Sequence, residues 1–126
     1  MTTVHPNRDL LDTFFRAIEQ GNLAAIVPLL AERVAIHVGG RGPLAGDYHG
    51  RTDALDLYGR FARLTGPGFT FPPHDALVDD QFIIVLPRDA RWRTAGKGMD
   101  VYRIEDGKIA EIWVTQWKSG GREPSR

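Results

Sequence analysis

The chain has 126 residues, enough for one domain with a core of its own and too few for two. Sixteen basic residues balance sixteen acidic ones, which argues against a general nucleic-acid binder and against a polybasic membrane adaptor. There is no cysteine, which removes disulfides, thiolate metal sites and a thiol nucleophile. The mix of 42% hydrophobic and 25% charged residues is that of an ordinary soluble domain. No apolar run approaches a membrane span. Met1–Asp9 lacks the apolar centre of a secretion signal, so the expected location is cytoplasmic.

The first expected element is a helix over about 8–20. Leu10, Leu11, Phe14, Phe15 and Ile18 repeat there at helical period, with Asn7 as the expected N-cap and Gly21 at the C-terminal end. Asn22 should cap a second, short helix carrying Leu23, Ile26, Val27, Leu29 and Leu30, which Pro28 kinks or splits. A strand over 33–38 follows. It sets Val34, Ile36 and Val38 on one face and Ala35 and His37 on the other. The stretch 39–50 holds five glycines and a proline and reads as a long loop of the kind that carries function.

A third helix is expected over 52–64, capped by Thr52, with Leu55, Tyr58, Phe61 and Ala62 as its buried stripe. Gly66-Pro67-Gly68 ends it. Four antiparallel strands should follow, over 69–78, 81–92, 98–105 and 109–117, the last two joined at Asp106-Gly107. Pro87 marks a bulge or edge. Helices first and a strand meander after give an α+β class, one single domain over 1–126 with an ordered core of about 8–117 and a loose tail over 118–126.

Several chemistries are missing. The run Gly40-Arg41-Gly42-Pro43-Leu44-Ala45-Gly46 has three residues, not two, between its second and third glycines and does not open directly into a helix, so it fails as a dinucleotide fingerprint. There is no phosphate-binding Gly-x-x-x-x-Gly-Lys run, no His-Glu-x-x-His and no Gly-x-Ser-x-Gly elbow. His5, His37, His49 and His74 are not at metal-ligand spacing, so neither a metal nor a cofactor is expected.

Four stretches carry a resemblance that spans about 8–117: FFRAIEQGN (14–22), AERVAIHV (31–38), PLAGDYHGRTD (43–53) and MDVYRIEDGKIAEIW (99–113). In order and spacing the chain resembles the nuclear transport factor 2-like superfamily, and within it the SnoaL-like polyketide cyclases and ketosteroid isomerases. The resemblance implies a cone of three N-terminal helices wrapped by a curved, mostly antiparallel sheet around a deep apolar pocket, and a homodimer through the outer sheet face. It places His37 where the isomerases carry their proton-shuttling carboxylate, Asp100 at the second pocket carboxylate, and Phe15 at the oxyanion-hole tyrosine. That last departure disfavours a true steroid isomerase.

Independently of the resemblance, a carboxylate in mid-strand among apolar neighbours needs a reason. Burial and charged partners both bring such groups toward useful pKa values. His37 and Asp100 are therefore the candidate acid–base pair, with either as the base. The plain alternatives are a satisfied strand-end histidine, and an Asp100 paired with Arg91, Arg93 or Lys97. Tyr58, Tyr102, Ile112, Val114 and Gln116 are candidate pocket walls, and His49, with Asp47 and Tyr48, a candidate clamp at the mouth. Arg88 and Arg91 are candidates to meet an anion, with a solvated sheet edge the plainer role, and His74 reads as structural or exposed. Glu111, Trp113 and Trp117 share the opposite face, which fits the expected dimer.

The expected function is cofactor-free isomerisation, cyclisation or dehydration of a small apolar cyclic or polyketide-like substrate. The alternatives are a non-catalytic module for a hydrophobic ligand and an epoxide hydrolase. The hydrolases' arginine and second aspartate are replaced here by Gly98 and by Ile112 or Gln116.

Overall fold

The computed structural model describes residues 4–88 and 98–115. Helix α1 spans Pro6–Glu19, α2 Leu23–Ile26, and α3 Gly50–Thr65; a single 3₁₀ turn, Val27–Leu29, follows α2. The strands are β1 Leu30–Val38, β2 Gly46–His49, β3 His74–Val78, β4 Phe82–Pro87, β5 Asp100–Glu105 and β6 Lys108–Val114. They form one sheet in the order β2-β1-β6-β5-β4-β3. All neighbours are antiparallel except β1 and β6, which run parallel. The α+β class holds, and the helices cover one face of the sheet. Among the described residues no helix is long and apolar enough to cross a membrane.

Helix α1 is capped two residues before the expected position. His5 is the N-cap, its Nδ1 accepting from the Asn7 N–H. Asn7 instead turns inward and donates to the carbonyls of Asp79 and Asp80, which pins the helix start to the β3–β4 turn. Asn22 caps α2 as expected, accepting from the Ala25 N–H. Pro28 ends α2 and converts the next residues to the 3₁₀ turn.

The glycine loop is shorter than expected, because its last residues pair as β2. Ile36 lies opposite Tyr48, and the buried ring of Tyr48 holds the strand in place. Helix α3 is rotated relative to the expected stripe. Its most buried residues are Ala54 and Leu57, while Tyr58 and Phe61 lie at the edge of that face. Residues 69–73 are not strand; β3 begins only at His74. The tail over 118–126 and the ends of two expected strands (89–92 and 116–117) lie outside the described residues.

Cross-strand register sorts the sheet residues into rows, and residues directly opposite share a face. Val78, Ile83, Tyr102, Ile112, Ile36 and Tyr48 form one inward row across all six strands. Ala76, Val85, Asp100, Val114, Val38 and Gly46 form the next inward row. Leu77, Ile84, Val101, Trp113, His37 and Asp47 form an outward row. Asp106 and Gly107 both take positive φ in the two-residue turn between β5 and β6, which sets the pairs Glu105–Lys108 and Ile104–Ile109; the register then shifts by one residue between Ile104 and Arg103.

Phe14 is the centre of the inner layer. It is fully buried and meets Tyr58 and Tyr102 edge-on, at 5.6 and 6.0 Å between ring centroids. Phe14→Ala should cost about 3–5 kcal/mol, read as a lower urea midpoint.

Candidate functional site

The second inward row places one carboxylate, Asp100, among aliphatic neighbours. Around it lie two adjoining cavities. The larger, about 270 Å³, is walled by Tyr58 and Leu57 of α3, Tyr102 and Val114 of the sheet, and the loop residues Gly42 to Ala45. The smaller, about 110 Å³, is walled by Phe15, Phe69, Phe71, Pro72, His74 and Val85. Phe61, Phe71 and Asp100 line both, so Asp100 stands where the two meet. Its Oδ1 is closed off from solvent.

Two phenols share the electrostatics of this carboxylate. Burial, and then the negative charge of Asp100, push the Tyr58 hydroxyl far up from its ordinary pKa. Tyr102 is raised in the same way, with Tyr58 adding a smaller effect. Both therefore stay protonated across the physiological range and present O–H donors.

The connector between α3 and β3 supplies aromatic walls. Phe71 stacks on Phe15 at 4.0 Å, and Phe69 meets Phe71 edge-on at 5.1 Å. The carboxylate of Glu19, at the end of α1, accepts from the Phe71 N–H at 2.8 Å and fixes this segment. Tyr48 does the same for the loop. Its hydroxyl donates to the Leu44 carbonyl at 2.7 Å and accepts from Arg60. His74 opens β3 on the inward side. Its Nδ1 donates to the Pro72 carbonyl at 2.9 Å, and its ring meets Phe15 edge-on.

Of the residues expected at the site, Asp100 lines both cavities, Phe15 the smaller, and Tyr58, Tyr102 and Val114 the larger. Ile112 belongs to the closed core row and reaches neither. Gln116 lies outside the described residues, as do Arg91, Arg93 and Lys97. His49 is exposed and faces the outer side beside His37, so it does not clamp the mouth. Of its two loop companions, Asp47 faces outward as well, and Tyr48 is buried as the loop's anchor. Arg88 is paired with Asp75 rather than set toward the cavity.

His37 needs the main correction. It points away from Asp100, because the alternation that sends Val38 inward sends His37 outward. There its Nδ1 meets Asp47 at 2.8 Å and its Nε2 meets Glu111 at 2.6 Å, while Arg103 approaches Glu111 from β5. Its ring stacks on Trp113. The pair His37 and Asp100 is not assembled; the histidine that shares a cavity with Asp100 is His74. The signals missed in the sequence were Phe69, Phe71 and His74 around Pro72-Pro73, a stretch too irregular for alternation to read. Among the described residues no cluster of three or more His, Asp or Glu side chains is arranged to hold a metal ion.

The SnoaL-like domain model matches residues 11–112, most of the chain. The chain belongs to the SnoaL-like domain family.

No curated protein matches the sequence at a significant level. Solved structures agree with the assignment. A protein from a soil-derived mobile gene cassette is 21% identical, with a TM-score of 0.70 over 87% of this chain and 88% of that one. A nuclear transport factor 2-like protein from Burkholderia xenovorans is 16% identical, with a TM-score of 0.67 over 91% and 92%. A protein from Sinorhizobium meliloti, provisionally designated a polyketide cyclase, is 16% identical, with a TM-score of 0.65 over 89% and 100%. At these identities the likeness establishes the fold.

In this SnoaL-like domain the outward histidine has its own consequence. The hydrogen bonds to Asp47 and then Glu111 outweigh partial burial and raise the His37 pKa. The folded state therefore holds the proton more tightly than the unfolded chain. The stabilisation is fully present below about pH 6.5, the unfolded value, and fades as pH rises through the raised folded value. His37→Gln should flatten that part of the stability profile in urea titrations across this range. Ligand affinity in the cavities on the other face should not change.

Proposed function

We propose that the chain is a cofactor-independent enzyme that moves protons on carbon beside a carbonyl, in a small apolar cyclic or polyketide-like substrate. Isomerisation, aldol-type cyclisation and dehydration all use that chemistry. The observation that carries the reading is the Asp100 carboxylate at the junction of two apolar cavities, beside two phenols held protonated.

In the proposed step, Asp100 takes the proton from the carbon. The electron pair moves onto the carbonyl oxygen, and an O–H of Tyr58 or Tyr102 stabilises the enolate. Asp100 then returns the proton at a second position or to a leaving hydroxyl. The apolar walls raise the value of each donor by excluding water.

A second reading, a ligand-binding module without turnover, is supported by Phe15, which brings a hydrocarbon edge to a position where a donor would assist an enolate. Epoxide hydrolysis is not favoured, since Ile112, one of the two places for its second carboxylate, is a core residue.

The reading is tested by deuterium exchange at carbons next to the carbonyl of cyclic enones and 1,3-diketones, followed by NMR in heavy water. Wild type should accelerate exchange, and Asp100→Asn should reduce the acceleration by about 10²–10⁴-fold while ligands still bind. Equal exchange in both proteins would leave the binding module as the better description.

The proposal extends to a homodimer through the outer sheet face, where Leu77, Ile84, Val101 and Trp113 make a continuous apolar row. Sedimentation should show a dimer for wild type and a monomer for Trp113→Glu; a monomeric wild type would overturn it.

A further inference from the structure

The two cavities differ in what they can read. The larger is walled by a loop and by aliphatic and phenolic side chains, together with the shared Phe61 and Phe71. The smaller carries four phenylalanine rings, and among the described residues its titratable wall groups are Asp100 and His74.

The geometry around His74 fixes what that group offers. A proline carbonyl can only accept, so the 2.9 Å contact with Pro72 puts the proton on Nδ1. In the neutral ring Nε2 is then an acceptor. The ring is steadied from a second side by its edge-on contact with Phe15 at 5.2 Å. An acceptor nitrogen on a fixed ring, in an aromatic cavity, favours a ligand that brings a donor on a flat ring.

Size narrows the ligand further. An apolar cavity of about 150 Å³ holds benzene. The smaller cavity, about 110 Å³ and adjoining the larger at Asp100, suits one six-membered ring that protrudes toward the carboxylate. The larger, at about 270 Å³, suits a second ring or a short chain. A four-ring skeleton exceeds both.

We infer that the smaller cavity is a subsite for a single hydroxylated or enolisable ring whose O–H donates to Nε2 of His74. The substrate class is then phenol-like or enolisable mono- and bicyclic compounds. This rests on the acid–base reading above and deepens it: His74 selects the enol or hydroxyl end, and Asp100 works on the adjoining carbon. His74 is in this role a specificity-determining residue.

The experiment compares the affinities of phenol, anisole, 2-naphthol and the tetracyclic phenol estradiol for wild type and His74→Asn. Anisole keeps the ring and lacks the donor. The asparagine amide can still donate toward the Pro72 carbonyl but offers nothing at the Nε2 position. Wild type should prefer phenol over anisole by about tenfold, the discrimination expected of one buried hydrogen bond. In His74→Asn that ratio should fall to near one while anisole affinity is kept.

A check on wild type needs no variant: phenol, and not anisole, should shift the His74 Nε2 resonance in a nitrogen-edited NMR spectrum. A phenol preference that survives in His74→Asn, no binding of either ring by wild type, or estradiol binding as tightly as 2-naphthol would overturn the inference. Loss of the acid–base reading alone would look different. The phenol preference would persist, and Asp100→Asn would leave carbon exchange unchanged.

Discussion

The parallel pairing of β1 with β6, and the antiparallel pairing of β6 with β5, decide which side chains meet. Val38, Val114 and Asp100 lie opposite one another on one face, and His37, Trp113 and Val101 on the other. A slip of one residue would exchange the two sets completely. The register is held by the inward row that includes Ile36, Ile112 and Tyr102, all buried, because slippage would bring that apolar surface into water. The Asp106-Gly107 turn sets the pairing of Glu105 with Lys108 and Ile104 with Ile109, and a one-residue register shift between Arg103 and Ile104 then brings Tyr102 opposite Ile112. Asp100 thus comes to the interior through its neighbours' packing, which overrides its own preference for water.

The helices turn that inward row into a cavity. Phe14 and Phe15 are adjacent in sequence and serve different purposes. Phe14 fills the core between Tyr58 and Tyr102, whereas Phe15 faces the smaller cavity and stacks on Phe71. Two polar contacts hold α1 where this division works: Asn7 on the β3–β4 turn and Glu19 on the Phe71 amide. Both satisfy backbone groups outside regular ladders, which is costly to leave undone near a core. The Tyr48 hydroxyl on the Leu44 carbonyl does the same for the opposite wall. The cavity is bounded by irregular segments, each tied back by one side chain.

Period-based reading of the sequence found the elements with strong alternation. The faces of β1, the proline break after α2 and the β5–β6 turn are all visible in local pattern. Asp100 stood out for a physical reason, a carboxylate inside an apolar strand. Four features were missed. Strand β2 is four residues long and glycine-flanked, so its pairing depends on Tyr48 finding Ile36, a long-range event. The α3 stripe is turned because Ala54, small and easily overlooked, packs more closely than Leu55. His37 looked like a pocket residue by resemblance, although its own alternation with Val34, Ile36 and Val38 already set it on the other face. His74 was hidden by the prolines before it, which erase periodicity and also provide the carbonyl that fixes its ring.

The site's donor arrangement follows from the residue at position 15. With phenylalanine there, α1 contributes hydrocarbon to the cavity, and the hydroxyls near Asp100 come from α3 and β5. Both phenols are raised by the charge of Asp100, so each holds its proton most firmly when the carboxylate is ionised. In the proposed step Asp100 takes a proton from carbon, which would neutralise that charge just as negative charge appears on the substrate oxygen. The phenols then lose one anion and gain another as a partner, so net charge in the apolar cavity need not change during the step. An environment that keeps a constant charge while moving its position avoids the large penalty of creating a new buried ion. That is the physical argument behind the proposed proton transfer on carbon beside Asp100, Tyr58 and Tyr102.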